Sequence, residues 1–147
     1  MKTLRVLITD DELGMRLGVS RTLRGFTIRV PGIDGEVGFS VEEAATGEAG
    51  LERIRQLPPD VLLLDHKMPG ISGLDVLDQL GPMGLDMWTI MITAFASADT
   101  AKIATQRGAD AFLAKPFTPA ELRDAIEKAA THLLLTRRSQ PPNELRE

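Results

Sequence analysis

The sequence predicts a doubly wound α/β fold in which five parallel strands alternate with five helices. Apolar runs of strand length alternate along the chain with segments of helical periodicity, and the run Val61–Leu64 is apolar at every position. A strand that is apolar on both faces is typical of the centre of a parallel sheet covered by helices on both sides. Right-handed crossovers between such strands predict one sheet with helices on both faces.

The five strands are expected where apolar and β-branched residues cluster in short runs. Runs of about four to eight such residues that end at a polar residue or a turn are typical of buried strands. The predicted strands are Leu4–Thr9, Phe39–Ala45, Asp60–Asp65, Trp88–Thr93 and Asp110–Ala114. Their spacing leaves room for a helix after each strand.

The first two helices are predicted from the spacing of their apolar residues. These residues are Leu13, Leu17 and Leu23 in the segment Glu12–Arg24, and Leu51, Ile54 and Leu57 in the segment that follows Thr46. A recurrence every three to four residues indicates one apolar face of a helix. Thr46 is a suitable N-cap for the second helix, and Pro58 ends it.

Capping signals predict the remaining three helices. Ser72 and Asp75 resemble a capping box, and Gly108 suits the position just after a helix over about Ser97–Arg107. The run Thr118–Glu121 supplies an N-cap, a proline at the first helical position and a glutamate three residues on. The last helix then carries one apolar stripe, formed by Leu122, Ala125, Ile126, Ala129 and Leu133.

One domain is predicted over residues 1–138, followed by a polar tail or linker over residues 139–147. A chain of 147 residues is long enough for one sizeable core and too short for two. The segment Phe26–Gly38 interrupts the regular pattern, and its Asp34-Gly35 pair indicates a β-hairpin or an ordered loop. Because loops lengthen at little free-energy cost, we interpret this segment as a tolerated surface insertion.

Composition excludes several classes of function. The net charge is −4 without a run of basic residues, so direct nucleic-acid binding is not expected. The sequence has no apolar run near the ~18 residues of a membrane span, and the first strand follows Met1 too closely for a secretory signal. The chain has no cysteine, which removes disulfides and thiol chemistry. A cytoplasmic protein is expected.

Polar side chains stand at the carboxyl ends of four predicted strands, where open α/β sheets form their sites. Asp10 and Asp11 end the first strand, Asp65 the third and Thr93 the fourth, and the fifth runs into Lys115. Two carboxylates 4 Å apart near a protein surface repel by about 4 kcal/mol, so such a cluster holds protons or binds a cation. Oxygen ligands without cysteine favour Mg²⁺ or a similar ion.

This set of groups suits phosphoryl chemistry. Lys115 can neutralise a phosphate, Thr93 can donate its hydroxyl to a phosphate oxygen, and a carboxylate can act as the nucleophile to give an acyl phosphate. Singly, each residue has a plainer explanation. The aspartate pair Asp10-Asp11 can cap a helix, Asp65 can be a solvated strand end, and the other two can be an ordinary strand residue and a surface charge. Their joint occurrence at four strand ends favours a functional site.

The sequence resembles the receiver domain of two-component response regulators over about residues 3–134. Four segments carry the resemblance: Val6–Glu12 (VLITDDE), Val61–Leu74 (VLLLDHKMPGISGL), Ile90–Phe95 (IMITAF) and Ala111–Phe117 (AFLAKPF). The resemblance implies a flavodoxin-like fold with strand order 2-1-3-4-5. It also implies a Mg²⁺-dependent switch that takes a phosphoryl group from a sensor histidine kinase or a phosphotransfer protein. Beyond its own phosphorylation and dephosphorylation, no enzyme activity is expected.

The resemblance also implies roles for the acidic residues. Asp65 matches the phospho-acceptor, and Asp11 matches the direct metal ligand. Asp10 acts on the metal directly or through water, and Lys67 contributes its main-chain carbonyl to the metal. Lys67 is a departure from the commoner family pattern, because it places an additional positive charge near the phosphoryl group.

The remaining implied roles concern the response to phosphorylation. Thr93 matches the switch hydroxyl, Phe112 the switch aromatic and Lys115 the phosphate-binding amine, while the bond before Pro116 resembles the family's cis peptide. Phe112 lacks the hydroxyl of the commoner tyrosine. Phosphorylation is expected to alter the surface of the fourth helix, fifth strand and fifth helix, through which a homodimer or a partner protein binds.

Two alternatives belong to other functional classes. An aspartate-nucleophile phosphatase usually has a second aspartate two residues after the nucleophile, where this chain has Lys67. A phosphorylation-independent interaction module on the same fold does not need the complete set of site residues. His66, His132 and Trp88 are interpreted as incidental or packing residues.

Overall fold

The protein, described by a computed structural model over residues 1–139, contains one five-stranded parallel sheet. The strands are β1 (Lys2–Thr9), β2 (Val37–Ala44), β3 (Val61–Asp65), β4 (Trp88–Thr93) and β5 (Ala111–Ala114). Their order across the sheet is β2-β1-β3-β4-β5, and all four neighbouring pairs are parallel. The predicted fold class and strand order are confirmed.

Five helices connect and follow these strands. They are α1 (Leu13–Leu23), α2 (Gly47–Gln56), α3 (Gly73–Leu80), α4 (Ala98–Gln106) and α5 (Pro119–Ser139), with a short 3-10 turn over Gly81–Met83. The first residue of the predicted tail, Ser139, is the last residue of α5. The rest of that tail, residues 140–147, lies outside the described residues. Within residues 1–139, no helix combines the length and the apolar character needed to cross a membrane.

Helices cover both faces of the sheet, as predicted. Alternate residues of the central strands contribute to two separate core clusters, because successive side chains of a strand point to opposite faces. One cluster joins the sheet to α2, α3 and α4 through Leu51, Val76, Leu77 and Ala104. The other joins it to α1 and α5 through Val19, Leu23, Leu122, Ile126 and Ala129. The sheet is therefore buried on both sides, and its carboxyl edge stays open between the two helix layers.

Three predicted helix starts are confirmed by their capping hydrogen bonds. The Thr46 hydroxyl accepts a hydrogen bond from the Ala49 N–H (3.0 Å). Ser72 and Asp75 form a reciprocal capping box at the start of α3. Thr118 and Glu121 form the same pair of bonds at the start of α5. Such caps satisfy N–H groups that have no partner inside the helix.

The apolar face predicted for α1 is partly wrong. Leu13 and Leu17 are 57% and 40% exposed, whereas Val19 and Leu23 are buried against the sheet. Both pairs have the four-residue spacing of a helix face, so the spacing alone does not tell which pair faces the core. Leu57 is a second correction, because it follows α2 in an extended conformation and is exposed.

The Phe26–Gly38 segment is an ordered loop with one antiparallel bridge between Ile28 and Val37. The interpretation of this segment as a surface insertion is wrong, because Ile28 and Val30 are buried. They belong to a third core cluster together with Leu4, Val37, Ala130 and Leu134. Gly32 and Gly35 adopt the left-handed backbone conformation that the turns of this loop require.

The same loop packs on the C-terminal half of α5. Leu134 joins the third core cluster, and the Arg138 guanidinium donates to the carbonyl of Gly32 (3.1 Å). Arg137 attaches the helix to the segments before β3 and β4 through ion pairs with Asp60 (2.8 Å) and Asp86 (2.8 Å). The end of α5 is therefore attached both to the Phe26–Gly38 loop, called the inserted loop below, and to the connections before β3 and β4.

Leu134→Ala is expected to lower the free energy of unfolding by about 2–4 kcal/mol, because it opens a cavity between α5 and the inserted loop. Leu134 is 3% exposed, whereas Leu57 is 59% exposed, so Leu57→Ala is the matched control and is expected to change stability by less than about 0.5 kcal/mol. Urea denaturation measures both. Equal effects of the two substitutions would show that the loop does not contribute a core.

Candidate functional site

The ends of four strands bring the predicted polar residues together at one edge of the sheet. Asp10 directly follows β1, and Asp65 is the last residue of β3. The parallel register pairs Asp65 with Ile92, which places Thr93 one residue further along the neighbouring strand. The N–H of Lys115 donates to the carbonyl of Thr93 (2.8 Å), so the residue after β5 reaches the same edge.

Three carboxylates form the acidic part of the site. One oxygen from each of Asp10, Asp11 and Asp65 lies within 4.8 Å of the other two. Asp10 is fully buried and Asp65 nearly so, whereas Asp11 is exposed. The Asp10 carboxylate accepts a hydrogen bond from the N–H of Glu12 (2.8 Å), and α1 has no side-chain cap. Asp10 and Asp11 therefore do not cap α1, which was the plainer explanation that the sequence offered for this pair.

Lys115 supplies the positive charge of the site. Its amine lies 3.0 Å from a carboxylate oxygen of Asp10 and 3.1 Å from one of Asp65. Glu12 lies 3.5 Å from the same amine. Hydrogen bonds between ionised partners are short and strong, and they hold the amine beside the buried carboxylates. The peptide bond between Lys115 and Pro116 is cis.

Burial, together with the neighbouring negative charge of Asp10, raises the pKa of Asp65 to about 6. The amine of Lys115 acts in the opposite direction through a hydrogen bond and its charge. A carboxylate that resists ionisation in this way gains from any added cation, because the cation offsets both the desolvation and the like charges. The electrostatics of the cluster therefore favour a bound cation.

We expect Asp65→Asn to raise the free energy of unfolding by about 1–2 kcal/mol at pH 7 in the absence of divalent cations. A pKa raised from 3.8 to about 6 means that the folded chain holds the proton more tightly, so stability is lost as pH rises from about 4 to about 6. That shift already includes the opposing effect of Lys115, and it corresponds to at most about 3 kcal/mol. Urea denaturation at pH 7 and pH 4 should show this advantage shrink at the lower pH; an advantage independent of pH contradicts the assignment.

The Thr93 hydroxyl is buried beside the acidic cluster and has two hydrogen-bond partners. Its oxygen accepts from the N–H of Phe95 (2.9 Å) and lies 3.0 Å from Nδ1 of His66. Burial lowers the pKa of His66, and the charge of Lys67 lowers it further. The His66 N–H also donates to the Ile92 carbonyl (2.8 Å), so His66 continues the pairing of β3 with β4.

An open depression of about 310 Å³ lies over the cluster. Its lining residues are Asp11, Glu12, Asp65, Lys67, Thr93, Ala94, Phe95 and Lys115. The amine of Lys67 lies 4.5 Å from the centre of the Phe95 ring, in a cation–π contact. The depression therefore has carboxylates on one side and the two amines and the Thr93 hydroxyl around them, with room for a small anion.

The turn after β3 brings α3 close to Asp65. A Cβ at Gly73 would collide with the main-chain carbonyl of Asp65, so only glycine allows this approach. The Gly73 N–H donates to the carbonyl of His66 (2.8 Å), and Gly70 adopts a left-handed conformation with φ of 82°. These two glycines hold the loop that carries His66 and Lys67 against the site.

Phe112 and Trp88 lie away from the acidic cluster. Phe112 is half-buried, pairs with Met91 across β4 and β5, and packs against the core cluster of α2, α3 and α4. Trp88 packs in the opposite core cluster, with its ring centre 4.5 Å from that of His132. The packing interpretation of Trp88 is confirmed.

Four residues at the site were not predicted to be part of it: Glu12, His66, Ala94 and Phe95. Glu12 approaches Lys115, and His66 contacts Thr93. A signal for His66 exists in the sequence, because the residue after Asp65 on β3 must lie beside the end of β4, where Thr93 stands. The interpretation of this histidine as incidental is wrong, because its Nδ1 atom lies at hydrogen-bond distance from the Thr93 hydroxyl.

The sequence pattern of the response regulator receiver domain matches residues 6–127. The chain therefore belongs to the family of receiver domains of two-component response regulators. Such domains are signalling switches that interact with histidine kinases or phosphotransfer proteins. The predicted family and the receiver-domain function are thereby confirmed.

Individual relatives agree with this assignment. The chain is 29% identical over 124 residues to sporulation initiation phosphotransferase F of Bacillus subtilis, covering 84% of this chain and 91% of the relative. It is 34% identical over 125 residues to the nitrate/nitrite response regulator protein NarL of Escherichia coli K12, covering 85% of this chain and 54% of NarL. The chain thus spans about half the length of that regulator.

A solved structure shares the fold. The CheY-like response regulator receiver domain protein of Methanospirillum hungatei superposes with a TM-score of 0.75 at 28% identity. The superposition covers 95% of this chain and all of the other. The sheet order and the two helix layers are therefore those of a receiver domain.

Proposed function

We propose that Asp65 accepts a phosphoryl group from a phosphohistidine of a cytoplasmic sensor histidine kinase or phosphotransfer protein. The observation that supports this role is the pairing of the buried Asp65 carboxylate with the Lys115 amine at 3.1 Å, inside an open depression that also presents the Thr93 hydroxyl. The carboxylate is a positioned nucleophile, and the amine and hydroxyl are placed to meet the oxygens of an incoming phosphoryl group.

The bonds that form and break in the transfer step join only atoms of Asp65, the phosphoryl group and the donor. A carboxylate oxygen of Asp65 attacks phosphorus, the bond between phosphorus and the donor imidazole nitrogen breaks, and the imidazole takes the electron pair and a proton. Lys115 exchanges one of its carboxylate partners for a phosphoryl oxygen. Hydrolysis returns the site to its unphosphorylated state. Water attacks phosphorus, inorganic phosphate leaves, and the Asp65 carboxylate is restored. The protein acts only on its own phosphorylation state.

The three carboxylates fit a hard divalent cation, and we propose Mg²⁺. Asp11 and Asp65 would hold it, Asp10 would bind directly or through water, and Lys67 would offer its main-chain carbonyl. When bound, the ion offsets the negative charge that gathers between the carboxylates and the phosphoryl oxygens. Asp11 is exposed beside the two buried aspartates, so its carboxylate is accessible to an ion in solvent.

Incorporation of a phosphoryl group from a small phosphodonor is expected to need Mg²⁺ and to be lost on chelation with EDTA. Asp11→Ala is expected to abolish Mg²⁺ binding, followed by NMR titration, while the fold is retained or slightly stabilised by relief of repulsion. Asp99→Ala, an exposed aspartate of α4, is the control and should bind Mg²⁺ normally. Undiminished Mg²⁺ binding in Asp11→Ala contradicts the ligand assignment, and metal-independent incorporation contradicts the proposed chemistry.

We propose that the output surface is formed by α4, β5 and α5. Thr93 lies at the end of β4 beside the acceptor. Phe112 lies on the neighbouring strand β5 and packs against the core cluster that includes Ala104 of α4. A shift of Thr93 toward a phosphoryl oxygen would leave space that the Phe112 ring can fill. The surface above these residues would then favour a homodimer or a partner protein.

A further inference from the structure

His66 contacts the hydroxyl that the proposed function assigns to the phosphoryl group. Its Nδ1 atom lies 3.0 Å from Oγ1 of Thr93, and the Thr93 side chain is 1% exposed. The neighbouring Phe95 N–H donates to the same oxygen at 2.9 Å. Since an amide N–H can only donate, one lone pair of the hydroxyl oxygen is already used.

The hydroxyl proton of Thr93 also needs a partner, because a buried donor without an acceptor costs free energy. Among the side-chain hydrogen bonds of residues 1–139, His66 Nδ1 is the group that can accept this proton. An imidazole that accepts at Nδ1 carries its own proton on Nε2. The Thr93 hydroxyl is then fully satisfied, and its proton points to His66 and away from Asp65.

We propose that His66 is a positioning residue that holds the Thr93 hydroxyl in the orientation of the unphosphorylated state. This inference rests on the proposed function, in which the same hydroxyl donates to a phosphoryl oxygen. One hydroxyl proton cannot serve both acceptors. The bond to His66 must therefore break before Thr93 contacts the phosphoryl group, and its strength sets how readily the chain enters the phosphorylated conformation.

The consequence is a measurable affinity. Beryllofluoride with Mg²⁺ occupies the place of a phosphoryl group on the acceptor, and it is the probe for this test. A ligand that binds one of two conformations gains apparent affinity when the other conformation is weakened. His66→Leu removes the acceptor and is expected to tighten beryllofluoride binding by about three- to tenfold, the range that corresponds to the net strength of one hydrogen bond.

The conservative variant His66→Asn tests whether the effect depends on a hydrogen-bond acceptor at this position and not on the imidazole ring itself. In His66→Asn the side-chain amide oxygen can take the place of Nδ1 and accept the Thr93 proton, so its affinity is expected within twofold of the wild type. Both substitutions are then repeated in Thr93→Ala, where His66 has no hydroxyl to hold. In a double-mutant cycle the effect of His66→Leu should disappear in that background, because the histidine acts through Thr93.

A spectroscopic measurement does not depend on the folding of any variant. Long-range ¹H–¹⁵N NMR correlations of the wild-type imidazole are expected to show the proton on Nε2 and an accepting Nδ1 without beryllofluoride. They should show a changed Nδ1 signal with it. A proton on Nδ1 in the free protein overturns the proposal.

The binding results distinguish this inference from the proposed function. If wild-type protein with Mg²⁺ fails to bind beryllofluoride, the phospho-acceptor function is wrong and the role of His66 falls with it. If the wild type binds, the positioning role is overturned by any of three results: His66→Leu affinity that is unchanged or weaker, an equal change in His66→Asn, or an effect that persists in Thr93→Ala.

Discussion

Asp65→Asn is expected to abolish phosphoryl incorporation completely, because the amide has no negatively charged oxygen to attack phosphorus. Asp65 is the buried carboxylate held at the mouth of the depression by Lys115, and the turn through Gly73 fixes its position. Intact-protein mass spectrometry after incubation with a small phosphodonor and Mg²⁺ measures the incorporation. Peptide mapping then locates the modified residue in the wild type.

Asp78→Asn is the matched control for this experiment. Asp78 is an exposed aspartate of α3 that pairs with Arg107, outside the depression, and its variant should take up phosphoryl groups at the wild-type level. A label that maps to His66 or Thr93 in the wild-type protein would refute the acceptor assignment. So would incorporation that persists in Asp65→Asn.

The second large effect is expected for Thr93→Ala, which should separate the chemistry at Asp65 from the conformational response. The variant keeps the carboxylate and the Lys115 amine, so phosphoryl incorporation should continue. It lacks the buried hydroxyl that contacts His66 and the N–H of Phe95 beside the acceptor. Amide hydrogen exchange over residues 97–130 is expected to change on addition of beryllofluoride in the wild type and to lose that change in Thr93→Ala.

Thr89→Ala provides the control on the same strand. Thr89 is buried at the opposite end of β4, where its N–H is held by Asp110. Its substitution removes a hydroxyl of the same kind without touching the acceptor, so the exchange response should remain. A full response in Thr93→Ala, or no response in the wild type, would show that the switch does not operate through this face.

Most of the fold follows from local signals in the sequence. The apolar run before Asp65 predicts the central strand, and the caps at Ser72 and Thr118 predict the starts of α3 and α5 to the residue. These signals act within a few residues of the elements they define. The order of the strands, by contrast, was inferred from the family resemblance, because strand pairing depends on distant contacts.

The errors arise where two distant segments must meet. Leu17 and Val19 are equally apolar, and only the position of α1 over the sheet decides which of them is buried. The apolar residues Ile28 and Val30 of the inserted loop are buried because α5 is long enough for Leu134 to reach them. Neither length nor composition of the loop signals that contact.

The sequence predicts which types of side chain form the site and at which strand ends they lie. It does not predict the hydrogen bonds between them. Four strand ends carrying aspartate, threonine and lysine indicate where the groups gather. Whether the Thr93 hydroxyl faces Asp65 or His66 depends on distances of a few tenths of an ångström. Sequence periodicity has no information at that scale.

The charge of the depression has a consequence for the rate at which different donors are used. Four carboxylates, Asp10, Asp11, Glu12 and Asp65, face two amines, Lys67 and Lys115, which leaves an excess of negative charge before any cation binds. Until a divalent cation offsets this excess, a free anionic donor is repelled during its approach, and this repulsion is felt over about 10 Å at 0.1 M salt. A protein donor is expected to overcome this barrier, because contacts elsewhere on its surface would hold the phosphohistidine in place. When the site is not filled with Mg²⁺, we therefore expect a preference for docked protein donors, and we expect this preference to weaken as ionic strength or Mg²⁺ concentration rises.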